Sequence, residues 1–351
     1  MTEQCPIGVV VIGRNEGERL KRCLNSIQSQ HNGPVIYVDS GSTDGSVDFA
    51  KSVGVDVVDL DISIPFTMAR GRNAGFTYLV ENYPDCQFVK FVDGDCEVAA
   101  GWIDIGLQFL QDRQIYAGVC GNRSERFPET TIYNQLINIE WHGSEGEVDA
   151  CGGDAIYRIA SFKAAGCFNE SMIAGEEADL CLRIRKQGFR LMRLDSPMTI
   201  HDANIHHFSQ WWKRSVRCGH AYAHGYDLHR QDSVVGEKSY KKKPLLSSLI
   251  YGLLLPGLLV LCVLMQMFLF SLIILALYIR AASKAAGSKS DSSNSIGQRY
   301  LYACFIFLGK LPEAQGVLRY YRNRAMGKTS KIIEYKIDAK HDHGSDCSLK
   351  D

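Results

Sequence analysis

The chain lacks an excess of charge of either sign. Its 39 lysine and arginine residues balance 39 aspartate and glutamate residues among 351. A balanced chain has no overall electrostatic field that would recruit nucleic acid. We therefore expect no nucleic-acid partner, and any attraction to an anion must come from a local group of basic residues.

Paired cysteines and an export signal are also missing. The 12 cysteines include no CxxC pair and no short disulfide framework. The N-terminus, MTEQCPIGVVVIG, lacks the charged start, apolar core and cleavage site of a secretory signal. Both absences predict a reducing, cytosolic environment for the thiols.

Charged residues are absent from residues 245–278, which contain GLLLPGLLVLCVLMQMFLFSLIILALY. As one helix this run would extend about 50 Å, whereas the hydrocarbon core of a bilayer is about 30 Å thick. Gly252, Pro256 and Gly257 can bend the backbone, and basic residues flank both ends. We predict a membrane protein with a two-helix hairpin over residues 245–280 and both ends cytosolic. A single tilted helix is the alternative.

Apolar runs alternate with amphipathic segments in the first part of the chain. The predicted strands cover residues 7–12, 34–38, 55–60 and 88–92, with amphipathic helices between them. This alternation indicates an α/β fold with a parallel sheet. Polar loops follow the strands at their carboxyl ends, which is where open α/β sheets bind ligands.

The fourth of these strands ends at Asp93-Gly94-Asp95. Side chains at i and i+2 of an extended segment point to the same side, so the two carboxylates can share one hard cation. Gly94 lets a ligand approach the backbone closely. The pattern therefore predicts a metal site, although an acidic turn without a metal fits the same three residues.

Five sequence blocks follow one another in a characteristic order: IGRNEGERLKRCLNSI, VDSGSTDGS, ARGRNAGF, FVDGDCEV and GEEADLCLRIRKQGFR. In this order they resemble the family 2 glycosyltransferases, over roughly residues 5–230. The resemblance implies the GT-A nucleotide-diphospho-sugar transferase fold, a Rossmann-like mixed α/β sheet. It also implies a nucleotide-diphospho-sugar donor and a divalent metal, Mg²⁺ or Mn²⁺, on the donor diphosphate.

The resemblance also assigns residues to the donor. It implies nucleotide-sugar binding by Arg14, Asn15, Glu16, Asp39, Ser40, Arg72, Asn73 and Asp93, and metal binding by Asp93 and Asp95. Members of the family often have two adjacent aspartates after the second strand, whereas this chain has serine at position 40. Serine binds a nucleotide base less selectively than a charged acceptor does. Capping of a turn is the alternative role for Asp39.

The catalytic base that the resemblance implies lies in the GEEADL block. Glu177 occupies the position at which the family usually has aspartate, so we predict that Glu177 removes the acceptor's proton. Glutamate is one methylene longer, so the acceptor must sit differently. Three acids, Glu176, Glu177 and Asp179, open a predicted helix, where the helix dipole would stabilise them without any catalysis. Both interpretations are open at this point.

The second half of the predicted domain supplies further candidates. The predicted acceptor-binding residues are Gly152, Gly153, Asp154 and Trp211. The glycines would admit an acceptor close to the backbone, or simply form a tight turn. His201, at a strand end, is expected to be a further metal ligand or to contact the diphosphate, with an ordinary hydrogen-bonded histidine as the alternative. Arg214 and Arg217 are placed to face phosphates.

Three histidines fall within seven residues, at positions 201, 206 and 207. No partner block of cysteine or histidine has the spacing of a closed structural zinc site. A structural zinc site is therefore not predicted.

These predictions divide the chain into six segments. They are a GT-A glycosyltransferase domain at 1–235, a basic linker at 236–244, the transmembrane segment at 245–280, a loop at 281–297, an interfacial amphipathic region at 298–337 and a polar tail at 338–351.

We therefore expect an inverting, metal-dependent glycosyltransferase with a lipid-linked or polysaccharide acceptor. It is expected at a bacterial inner membrane, with the catalytic domain in the cytoplasm, because a lipid-linked acceptor is confined to the bilayer surface. The alternative is a catalytically silent nucleotide-sugar-binding subunit of a polysaccharide assembly complex. Such a subunit would have no physical need of the metal carboxylates or of an acidic base.

Overall fold

The computed structural model describes residues 5–231, 240–288 and 295–335. Nine strands within these ranges form one sheet: β1 (Ile7–Gly13), β2 (Val35–Asp39), β3 (Asp56–Asp59), β4 (Phe88–Asp93), β5 (Cys96–Val98), β6 (Tyr116–Glu125), β7 (Gly146–Glu147), β8 (Ile156–Arg158) and β9 (Arg190–His201). Their order in the sheet is β3-β2-β1-β4-β8-β6-β9-β5, with β7 paired to β9.

Helices connect these strands and follow them. Those of the first 231 residues are α1 (Glu18–Gln28), α2 (Ser46–Ser52), α3 (Met68–Asn82), α4 (Trp102–Asp112), α5 (Ile132–Trp141), α6 (Ile159–Ala164), α7 (Glu176–Lys186) and α8 (Phe208–His229). The later ones are α9 (Lys242–Leu249), a π-helical turn (Ile250–Leu254), α10 (Leu255–Leu264), α11 (Phe268–Gly287) and α12 (Ile296–Ala325).

The sheet is parallel in its first half and mixed in its second. Strands β1 to β4 are parallel, as the alternation of strands and helices predicts. Strand β8 then pairs antiparallel with β4, and β5 pairs antiparallel with β9. The predicted Rossmann-like mixed α/β fold is therefore confirmed. Because β1, β2 and β4 run in the same direction, the polar loops that follow them meet at one edge.

Helix α3 begins four residues before the predicted start at position 72. The hydroxyl of Thr67 accepts a hydrogen bond from the backbone amide of Arg70 at 3.1 Å, so Thr67 caps the helix. Arg72 and Asn73 consequently lie inside the second turn of a helix and not in a loop.

Two apolar helices follow the sheet domain, as the hairpin prediction requires. Residues Lys242–Leu264 and Phe268–Gly287 are long and apolar enough to cross a membrane, by length and composition. A short turn separates them, and the hydroxyl of Tyr278 donates to the carbonyl of Tyr251 at 2.6 Å across the pair. Two helices, and not the alternative of one tilted helix, therefore account for the apolar run.

The boundaries of the apolar segment differ from the predicted ones. The first helix starts inside the predicted linker at 236–244, and the second extends seven residues into the predicted loop at 281–297. Alanine and lysine, which dominate residues 281–287, are strong helix formers. The predicted tail at 338–351 lies outside the described residues, as do residues 236–239 of the linker and 289–294 of the loop.

Helix α12 covers most of the region that we predicted to be interfacial, and it packs on the sheet domain. Glycines bring its backbone against two other helices. A side chain at Gly316 would overlap the carbonyl oxygen of Val216 in α8, and one at Gly252 would overlap that of Lys310 in α12. Its orientation toward a bilayer remains a prediction. The helix joins the apolar helices to the domain that carries the sheet.

Close packing at Gly316 generates a stability prediction. Gly316→Ala should lower the free energy of unfolding by about 1–3 kcal/mol, because the added methyl group must push α12 away from α8. Thermal unfolding of the full-length protein in detergent measures the effect. Gly297→Ala, near the start of the same helix, where an added side chain would meet only Oγ of Ser295 at 4.0 Å, should be neutral or stabilising. Equal stability of the two variants would contradict the proposed contact.

Candidate active site

A cavity of about 440 Å³ opens at the carboxyl ends of the parallel strands. Six of the predicted donor residues line it: Arg14, Asn15, Glu16, Ser40, Arg72 and Asp93. The predicted metal and base residues Asp95, His201 and Glu177 line it as well, together with Gly153. The fold therefore brings candidates from positions 14 to 201 into one site.

Asp95 and His201 meet because of the register of the sheet. Cys96, the first residue of β5, pairs with His201, the last residue of β9. Nε2 of His201 consequently lies 3.4 Å from Oδ2 of Asp95. Asp95, Cys96 and His201 form the only group of three described residues whose ligand atoms are close enough to hold one metal ion.

Two of the three ligand atoms in this group, from Asp95 and His201, fit a divalent cation such as Mg²⁺ or Mn²⁺, whereas the thiol of Cys96 is a ligand for softer metals. Carboxylate oxygen and imidazole nitrogen are suitable ligands for Mn²⁺, and carboxylate oxygen is a preferred ligand for Mg²⁺. Nδ1 of His201 is buried and has no hydrogen-bond partner among the described residues, although Oε2 of Glu125 lies 3.8 Å from it. The side chain of Asp95 is only 3 % exposed, so packing fixes Asp95 and His201 in position on the cavity wall.

Asp93 is oriented differently from Asp95. Its Oδ1 accepts a hydrogen bond from Nη2 of Arg72 at 2.8 Å, and its side chain is 29 % exposed. Gly94 passes close to β1, because a side chain at Gly94 would lie 3.1 Å from the carbonyl oxygen of Ile12. Asp93 therefore lines the cavity beside the Asp95–His201 pair, but it is not one of the three residues whose ligand atoms are close enough to hold one metal ion.

Arg72 is a buried cation among three acids. Besides Asp93, its Nη1 contacts Oε1 of Glu176 at 2.7 Å and Oε1 of Glu177 at 3.5 Å. Burial by itself would lower the pKa of Arg72, but the neighbouring carboxylates Asp93, Glu177 and Glu176 raise it above the usual value. The guanidinium therefore stays charged and fixes the end of β4 relative to the start of α7.

The three acids at the start of α7 have three different environments. Gly175, with φ near 80°, turns the chain into the helix. Glu177 faces the cavity with its side chain 24 % exposed, whereas Glu176 is fully enclosed beside Arg72. Burial and the charge of Glu177 raise the pKa of Glu176. Only Glu177 of these acids can reach a molecule in the cavity.

Asp179 is bound within the protein. Its Oδ2 accepts hydrogen bonds from Arg183 at 2.6 Å and 2.9 Å, and its Oδ1 lies 2.6 Å from Nε2 of His229 in α8. Burial would raise the pKa of Asp179, but His229 and Arg183 lower it overall. Asp179 therefore joins α7 to α8.

Two predicted donor residues lie outside the cavity. Asp39 is buried, and its Oδ2 accepts hydrogen bonds from the backbone amides of Gly41 and Ser42 at 2.8 Å and 2.7 Å. Asn73 binds the backbone of Phe168 in both directions. Asp39 therefore caps a turn, as the alternative role predicts. Asn73 attaches α3 to the loop before α7.

The predicted acceptor residues also divide into two groups. Gly153 lines the cavity, but Asp154 is fully buried and binds Arg123 at 2.7 Å and Thr199 at 2.5 Å. Trp211 is only 6 % exposed, because aromatic rings of Tyr133, Phe208 and Phe305 enclose it. Gly152 faces Arg123 and does not line the cavity. Asp154 and Trp211 are too buried to contact an acceptor in the cavity.

Part of the cavity wall comes from the far end of the chain. Glu334 makes an ion pair of 2.8 Å with Arg14, and the ring of Tyr335 stacks under the guanidinium of Arg217 at 5.3 Å. Ile333 is buried beside Val216 and Ile173. Sequence reasoning missed Glu334 and Tyr335, because they belong to no motif and lie some 320 residues from Arg14.

Comparisons with known proteins find similarity to glycosyltransferases. The model of glycosyl transferase family 2 matches residues 8–169. Glycosyltransferase AglE of Haloferax volcanii is 23% identical over 229 residues, which are 62% of this chain and 74% of that protein. Succinoglycan biosynthesis protein ExoA of Rhizobium meliloti is 23% identical over 216 residues, which are 55% of this chain and 62% of that protein.

A solved structure shares the fold. The mannosyltransferase PcManGT of Pyrobaculum calidifontis, in complex with GDP-Man and Mn²⁺, superposes with a TM-score of 0.54 at 16% sequence identity. The superposition covers 93% of this chain and 89% of that one. At this identity the likeness concerns the fold, which is the GT-A fold.

The separate environment of Asp179 generates a prediction. Asp179→Asn should lower the free energy of unfolding by about 1–3 kcal/mol, because Arg183 and His229 lose a charged acceptor. Turnover of the folded enzyme should change only a few-fold, since Asp179 does not line the cavity. Denaturant unfolding and transfer assays test both parts. Glu147→Gln, which breaks an exposed pair with Arg190, is the matched control and should have almost no effect. Loss of turnover at unchanged stability in Asp179→Asn would overturn the assignment.

Proposed function

We propose that this chain is a family 2 glycosyltransferase and that it transfers a sugar, with inversion, from a nucleotide-diphospho-sugar to an acceptor hydroxyl at the cytosolic face of a membrane. The acceptor class is lipid-linked or polysaccharide. One observation carries the proposal: an acid that faces the cavity, Glu177, shares the guanidinium of Arg72 with Asp93, beside the Asp95–His201 pair. Base and leaving-group residues thus converge on one cavity.

The donor end of the cavity is proposed to lie at the ends of β1 and β4. Arg14, Asn15, Glu16 and Ser40 surround it on the β1 side. Asn15 has the left-handed φ of 54°, and its Oδ1 accepts a hydrogen bond from the amide of Thr43 at 2.8 Å. This bond ties the first loop to the second and shapes the pocket for the nucleotide.

Asp95 and His201 would hold a divalent metal, Mg²⁺ or Mn²⁺, with Asp93 as the adjacent carboxylate. Bound there, the metal would neutralise the negative charge that develops on the leaving diphosphate. Asp93 also accepts a hydrogen bond from Arg72, so the guanidinium keeps this carboxylate at the strand end. Arg72 thereby acts as a positioning residue for the donor side.

Glu177 is proposed as the general base. Its carboxylate takes the proton of the acceptor hydroxyl while the hydroxyl oxygen bonds to the anomeric carbon. The bond from that carbon to the diphosphate oxygen breaks on the opposite face, so the configuration inverts. Glu176 is less suitable, because it is enclosed and already bound to Arg72 at 2.7 Å.

The two apolar helices support attachment to a membrane. Lys241 precedes the first helix, Lys242 and Lys243 begin it, and Arg280 and Lys284 lie toward the end of the second. Positive charge on both flanks favours a cytosolic location of both ends. An inner-membrane enzyme with its catalytic domain in the cytoplasm is consistent with this arrangement.

The alternative is a silent subunit that binds a nucleotide sugar without turning it over. The exposure of Glu177 in the same cavity as Asp95 and His201 favours the enzyme. A panel of nucleotide sugars, with Mg²⁺ or Mn²⁺ and with or without membrane lipids, separates the two by release of the nucleoside diphosphate. Binding of a nucleotide sugar without any release would support the silent subunit.

Asp95→Ala should abolish transfer while the fold persists, because a carboxylate at a strand end contributes more to metal charge balance than to packing. Nucleoside diphosphate release in the presence of Mn²⁺, together with thermal unfolding, measures this. Asp44→Ala, which removes an exposed carboxylate in the second loop, is the control and should retain activity. Undiminished activity of Asp95→Ala would remove Asp95 from the mechanism.

Glu177→Gln should lower turnover by a factor of about 10² to 10⁴ with little change in donor affinity, since the amide has almost the same shape but cannot accept the proton. Glu177→Asp should retain partial activity, because its carboxylate is withdrawn by one methylene. Turnover at saturating donor and nucleotide binding are the two measurements. Glu176→Gln should have a much milder effect on turnover, and the reverse ranking would assign the base to Glu176.

A further inference from the structure

Most basic side chains that line the cavity already have an acidic partner. The pairs are Arg14–Glu334, Arg19–Glu16, Arg72–Asp93, Arg123–Asp154 and Arg214–Glu140. Arg217 also lines the cavity, but it makes no ion pair with a residue of the described ranges. It stacks on the ring of Tyr335, which holds the guanidinium in place without neutralising its charge.

Arg217 lies beside the loop that carries the proposed base. It precedes Ala221 by four residues on α8, so both side chains share one face of the helix. A side chain at Gly175 would lie 3.3 Å from Cβ of Ala221, and Gly175 directly precedes Glu176 and Glu177. The guanidinium of Arg217 is therefore close to the place where the acceptor hydroxyl must be held.

The same cavity extends to the base of the apolar helices. Tyr240 and Lys241 line it, and Lys242 is the first residue of the apolar helix Lys242–Leu264. Tyr240 is buried, and its ring lies against α8 at Gly225. The cavity therefore reaches from the start of the apolar helix to Glu177, and Arg217 lines it as well.

We propose that Arg217 binds a phosphate group of the acceptor, and that the acceptor is a short saccharide on a lipid phosphate or diphosphate. This inference rests on the proposed function and names its acceptor class. A guanidinium matches a phosphate by paired, charge-assisted hydrogen bonds. A cavity of about 440 Å³ must also admit the donor sugar, so it leaves room for only a few acceptor sugars between Glu177 and the phosphate.

The donor diphosphate also carries phosphate groups that match a guanidinium. Binding measurements distinguish it from the acceptor phosphate as the ligand of Arg217. The full-length protein in nanodiscs is titrated with farnesyl diphosphate, with farnesol, and with UDP or GDP in the presence of Mn²⁺. Farnesyl diphosphate should bind at least about tenfold more tightly than farnesol, as expected for a charged hydrogen-bonded contact. It should also bind when UDP or GDP is already saturating.

Arg217→Gln should weaken binding of farnesyl diphosphate by about 10- to 100-fold and leave farnesol binding unchanged. The affinity for UDP or GDP should change less than about threefold, and Arg217→Lys should recover part of the loss. Lys213→Gln is the matched control, because Lys213 is an exposed cation one turn earlier on α8 that does not line the cavity. It should bind like the unaltered protein.

Two results would overturn the proposal. If Arg217→Gln weakens UDP or GDP binding and spares farnesyl diphosphate, Arg217 belongs to the donor site. If farnesyl diphosphate binds no better than farnesol, or competes fully with the nucleoside diphosphate, the cavity has no phosphate site for an acceptor. These binding results do not depend on turnover, so absence of transfer from every nucleotide sugar would count against the proposed function alone.

Discussion

The buried guanidinium of Arg72 is the interaction on which the site depends. It lies on α3 and binds a carboxylate at the end of β4 and two at the start of α7, at distances of 2.7 to 3.5 Å. Removal of one partner from such a buried group leaves uncompensated charge, which costs about 3–5 kcal/mol. The proposed donor side and the proposed base side are therefore coupled through one side chain.

Local patterns in the sequence predicted much of the fold and part of the site. Alternating apolar and amphipathic segments identified β1 to β4, and the end of a strand located Asp93 and Asp95 at the sheet edge. Residue type alone could not separate a ligand from a structural acid. Asp39 and Asp154 have the expected chemistry, but backbone amides and Arg123 respectively satisfy their carboxylates. Burial, which decides between these roles, arises only from tertiary packing.

The parts of the structure that the sequence does not predict depend on contacts between residues far apart in the chain. The sequence predicts that Trp211 binds the acceptor, yet α12 contributes Phe305 to enclose it. Glycines at the contacts of α12 permit this close approach, since Gly219, Gly252 and Gly316 all face backbone carbonyl groups. No pattern of period 2 or 3.6 reveals such a contact, because it depends on which two helices meet. The same contacts connect the apolar helices to α8, and α8 carries Arg217.

The pairing of Glu334 with Arg14 has a consequence for how the protein is made. A ribosome releases the chain from its N-terminus, so the sheet and its first loop can fold before the apolar helices emerge. The wall that contains Glu334 and Tyr335 is synthesised only after those helices. A cavity with all its walls therefore exists only after the apolar hairpin has left the ribosome.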